Sequence, residues 1–78
     1  MPDLRLTREI LEVVEQQLRD HNPPETGETF DRLIKAGYRR PTAIAMIGSA
    51  LMTEVQHMLR ENRSFDRQHF GSLLNEMR

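Results

Sequence analysis

A chain of 78 residues has room for one domain, and at that size a single core lies close to the lower limit of independent stability. The absence of cysteine excludes disulfide staples and thiolate metal sites and suits a reducing compartment. Eleven basic against twelve acidic side chains leave a net charge of −1, without the overall basic footprint of a dedicated nucleic-acid binder, and 29% charged beside 37% hydrophobic residues suits a folded domain rather than a disordered chain.

Residues 1–20 mix acids and bases, so they hold no signal-peptide apolar block, and no stretch approaches the roughly 20 apolar residues of a membrane span. A cytoplasmic protein without a membrane partner is expected. After a short lead containing Pro2, Thr7 is placed to cap a first helix running to about Arg19 or Asp20, with Glu9 in the turn where the helix dipole favours an acid. Ile10, Leu11, Val14 and Leu18 recur at helical spacing as its buried stripe; Val13 lies off it. Asn22, Pro23 and Pro24 stop the helix, because proline lacks the amide and pushes its predecessor out of helical geometry.

Pro24 suits the first position of a second helix, whose expected buried side is Phe30, Leu33 and Ile34. Lys35 in the last turn and Gly37 just beyond form a C-terminal signal. Pro41 then opens the longest run free of helix breakers, reaching Glu61. On a wheel at about 100° per residue its apolar side chains, from Ile47 and Met58 through Leu51, Ile44 and Val55 to Leu59 and Ala45, span roughly 160°. An arc that wide needs cover on more than one side, so this third helix is expected to be central. Gly48 lies inside the arc, which predicts close approach of a neighbouring helix backbone. Asn62 suits a left-handed terminator. In Ser64–Phe70, Asp66 is the natural cap of a last helix, with Phe65 and Phe70 placed as a hydrophobic staple, and Phe70, Leu73, Leu74 and Met77 make its buried side. The fold class predicted for residues 1–78 is all-α: a single compact antiparallel bundle of four helices with a long central third helix.

No metal, cofactor or catalytic signature emerges. His21, His57 and His69 are scattered; Glu54-x-x-His57 has the spacing used in di-iron bundles but occurs once, on the polar side of the wheel, so His57 is expected to be solvated. The serines lie in no nucleophile context and there is no glycine-rich phosphate loop. Arg32, Lys35, Arg39 and Arg40 cluster at the turn into the third helix, but its first turns offer no side chain to read bases, so these cations are assigned to the helix dipole and to solubility. Val13, Met46 and Ala50 fall outside the core stripes and are the candidate contacts for a second surface.

The series QQLRDHNPPETGETFDRLIKAGY, then TAIAMIGSAL, then MLREN and SFD with an aromatic four residues after Asp66, resembles a family of small bacterial helical domains of unassigned function. The matching positions include Pro23, Pro24, Gly37, Gly48, Asp66 and Phe70 and extend over nearly the whole chain beyond residue 9. The resemblance implies the four-helix organisation and supplies no activity. Members of the family often carry histidines where this chain has Leu11 and Ala45, which further lowers the expectation of a metal or catalytic site. The function expected is that of a protein-interaction or self-associating module without catalytic activity. The competing expectation is weak nucleic-acid association through Arg32, Lys35, Arg39 and Arg40.

Overall fold

Residues Arg40–Glu61 form the helix around which the others are arranged. The computed structural model describes residues 4–77, and its elements are α1 (Leu4–Asp20), α2 (Pro24–Lys35), α3 (Arg40–Glu61) and α4 (Arg67–Asn75). At about 1.5 Å per residue the 22 residues of α3 extend roughly 33 Å, which nearly fills the 36 Å long dimension of the molecule. α3 packs against each of the other three helices. α1 runs against it, since Gly48 lies under Ile10 and Leu11 while Arg40 meets Glu15. α2 and α4 run together: Arg67 pairs with Glu25 at their starts, and Arg32 reaches the Leu74 and Met77 carbonyls at their ends. Among the described residues there is no strand, and no helix is long and apolar enough to cross a membrane.

Most terminators act as their residue types dictate. His21 takes the left-handed conformation at φ 54°, and the Asn22 amide donates back to the Gln17 carbonyl. Gly37, at φ 104°, permits the Gly37 and Tyr38 amides to bond the Ile34 and Leu33 carbonyls. Asn62 closes α3 in the left-handed region at φ 52° and ψ 49°. Asp66 caps α4 by accepting the His69 amide at 3.1 Å, and the Phe65 and Phe70 rings meet at 5.5 Å. The first helix departs from expectation: it begins at Leu4, so Thr7 lies inside it and is not its cap.

The core holds Ile10 and Val14 of α1, Leu33 of α2, Ala43, Ile44, Ile47, Ala50 and Leu51 of α3, and Phe70 and Leu74 of α4. On α3 the buried side is turned by roughly 60° from the apolar arc, toward Ala43, Ala50 and Glu54 and away from Ala45 and Leu59. The cause is polar: three partners satisfy the Glu54 carboxylate, so that side can be covered by α4, whereas Leu59 stays 79% exposed. Gly48 also differs from expectation. A Cβ there would lie 3.3 Å from the Ile10 Cγ2 and Leu11 Cδ2 methyls, so α1 side chains, rather than its backbone, occupy the space. Ile34, expected on the buried side of α2, is exposed; the buried positions are instead Thr26 and Thr29 beside Leu33, and the Thr26 hydroxyl donates to Gln17 Oε1 at 2.9 Å.

Candidate functional site

Two regions combine chemistry with accessibility. The first surrounds Glu54, whose side chain is fully buried at the C-terminal end of α3. Such a carboxylate must find donors or lose its charge. Arg63, just past the Asn62 terminator, supplies a fork: Nη1 donates to Oε2 at 2.8 Å and Nη2 to Oε1 at 3.4 Å. The Asp66 amide donates to Oε2 at 3.0 Å, and His69 Nδ1 lies 2.5 Å from Oε1. The Arg63 bonds outweigh the opposing effect of burial, and with His69 and the Asp66 amide they hold the Glu54 carboxyl at about 2 against an ordinary 4.5. Arg63 is pushed above its ordinary range by the same contacts, and its Nε also reaches Glu61 at 2.7 Å.

An ionised carboxylate only accepts hydrogen bonds, so the proton it shares with His69 resides on Nδ1, which leaves Nε2 out of the Glu54 contact in a side chain that is 34% exposed. The His57 ring stacks on His69 with centroids 4.9 Å apart and planes 24° from parallel. His57 is therefore half-buried between neighbours, not solvated as its place on the wheel suggests. One ligand atom from each of Glu54, His57 and His69 falls within 4.8 Å of the others. Glu61 stands one helical turn beyond His57; Arg63 first, then the two imidazoles, keep its carboxyl below the ordinary range. Sequence spacing missed this cluster because its histidines sit on different helices, twelve positions apart.

The second region lies around the start of α3. Of the four cations grouped there in sequence, the fold disperses two. Arg32 is half-buried and spends its guanidinium on the Leu74 and Met77 carbonyls, at 2.8 and 3.2 Å. Arg40 forms a two-bond pair with Glu15, at 2.7 and 3.4 Å, and lies over the Phe30 ring at 5.9 Å. Lys35 and Arg39 are exposed and form no ion pair among the described residues. Arg40 also separates two grooves, one of about 600 Å³ floored by Leu11, Pro41 and Ile44, the other of about 240 Å³ over Leu18 and Phe30.

The candidate contact residues do not form a surface. Ala50 is buried at 4% exposure, and Met46 is half-buried against the core, because the rotation of α3 carries both inward. Only Val13 is exposed. Between its charged ends, Arg40 at the start and Arg60 and Glu61 at the close, the exposed residues of α3 are a different set: Pro41, Thr42, Ala45, Ser49, Gln56 and Leu59. None of the six is charged. The outward residues of α1 include Arg8, Glu9, Glu12, Arg19 and Asp20. Compared with protein-family models, curated proteins and solved structures, the chain matches none.

Proposed function

We propose that the protein acts through contact with other polypeptide, most directly a second copy of itself, along the outward side of α3. The carrying observation is that this side stays free of charge from Pro41 to Leu59, a strip of roughly 27 Å, in a chain where 29% of residues are charged. Depletion of charge with an exposed large apolar anchor is the composition of an interface centre rather than of a solvated face. Ala45 and Ser49 are small enough for a second helix to approach closely. In an antiparallel two-fold pairing the axis falls near Ser49. One helix face buries less than the roughly 800 Å² per partner of a standard interface, so the association is reversible and concentration-dependent.

Sedimentation from about 10 μM to 1 mM, a range that brackets weak association, is the test. The average mass should rise with concentration and persist in high salt. Leu59→Lys should lower it by removing the anchor, and Ser49→Glu should abolish the rise by setting like charges across the axis. A monomer throughout, or association indifferent to both substitutions, overturns the proposal. Salt also separates it from nucleic-acid association through Lys35 and Arg39, which falls steeply as salt rises.

A further inference from the structure

We propose that His57 and His69 form the core of a binding site for a borderline divalent metal ion such as zinc, completed by the Glu61 carboxylate and water. The site lies on the opposite flank of α3 from Leu59 and does not depend on self-association. Imidazole nitrogens suit zinc, nickel or copper(II) and not magnesium. Glu54 is not a ligand in this arrangement, since Arg63, the Asp66 amide and His69 already fill its oxygens. It performs the supporting task instead: by accepting from His69 Nδ1 it fixes the tautomer that offers the Nε2 lone pair, the carboxylate–histidine–metal relation found around metal sites generally. The Arg63 charge beside the site is neutralised by that same carboxylate.

The geometry requires a small adjustment. Adjacent ligands on a tetrahedral ion with bonds of about 2.0–2.1 Å stand roughly 3.3 Å apart, whereas one ring nitrogen of His57 and one of His69 now lie within 4.8 Å of each other and of a Glu54 oxygen. Metal binding requires His57 to rotate out of its stack on His69, and the ring has no hydrogen bond among the described residues to lose in doing so. Glu61 reaches in by giving up its Arg63 Nε contact, an ion pair with 56% of the Glu61 side chain exposed, and such pairs are weakly held. Because the two histidines belong to α3 and α4, a bound ion ties the helices together and should raise the melting temperature.

Calorimetric titration of zinc into the untagged chain tests the site, with magnesium in parallel. One zinc per chain should bind and magnesium should not. His57→Ala should weaken zinc at least about tenfold and remove the zinc-induced rise in melting temperature; His57→Gln, closer in size, serves if the alanine variant loses its helical circular dichroism. Bound cobalt(II) should show the visible absorption of a nitrogen-containing four-coordinate site. No zinc uptake, zinc affinity unchanged in the His57 variants, or uptake lost on His21→Ala overturns the proposal.

Discussion

At the start of α3, Arg40 meets Glu15 through bonds of 2.7 and 3.4 Å; beyond its end, Arg63 meets Glu54 through bonds of 2.8 and 3.4 Å. The bonds are almost identical and the surroundings are not. Glu15 and Arg40 keep 36% and 60% of their side chains exposed, whereas Glu54 has none exposed and Arg63 28%. Water screens the first pair and competes for its donors, so such a pair contributes little. The second pair has no water to fall back on at the carboxylate, so Glu54 depends on its donors, whereas Arg63 keeps Glu61 and the Ser64 carbonyl as further acceptors. Bond length therefore ranks the two pairs equally, while burial separates them by several-fold in energy.

Removing the buried acid is the most severe test. Glu54→Ala should cost about 3–5 kcal/mol in denaturant unfolding, the range for breaking a buried pair, because it empties the carboxylate's buried place and takes the shared acceptor from Arg63, the Asp66 amide and His69 together. A loss under about 1 kcal/mol would make the two ends of α3 equivalent. Acid makes the same comparison without mutation. The Glu54 carboxyl is drawn from 4.5 down to about 2 in the folded state, so its contribution is complete above about pH 4.5 and disappears as pH falls toward 2. At about 1.4 kcal/mol per tenfold change this amounts to roughly 3 kcal/mol, visible as a falling chemical midpoint that Glu54→Gln should flatten. Asp66→Ala removes the α4 cap and should cost about 0.5–2 kcal/mol, read as a lower melting temperature. The smallest effect belongs to Glu15→Gln, below about 1 kcal/mol and suppressed by salt. A larger, salt-resistant loss would show that the groove side of α1 is less open than its exposure implies.

The helix count, the central position of α3, the Asn62 terminator and the Asp66 cap were legible because each follows from local chemistry within a few residues. The orientation of α3 was not. Glutamate is the residue least expected inside, and nothing near Glu54 in sequence announces that Arg63, the Asp66 amide and His69 converge on it from nine to fifteen positions away. With Glu54 assigned to water, Leu59 is drawn inward and Ala50 outward, so Ala50 stands among the candidate contact residues although it is buried. Arg32 was misjudged for a similar reason, its targets being carbonyls 42 and 45 positions distant. The Arg63 position beyond the α3 terminator, followed by a cap residue, was a usable sign that the turn folds back onto the helix.

α4 has nine residues, too few to persist by itself in water. Its beginning is grasped by the α3 carboxylate through the Asp66 amide and His69, and its end by Arg32 from α2, with Phe70 and Leu74 inserted between. A segment tethered at both tips by other helices cannot peel away without undoing them. Deuterium uptake at the Phe70 to Leu74 amides should therefore follow whole-molecule opening, giving one of the shortest helices the slow exchange rates of the longest.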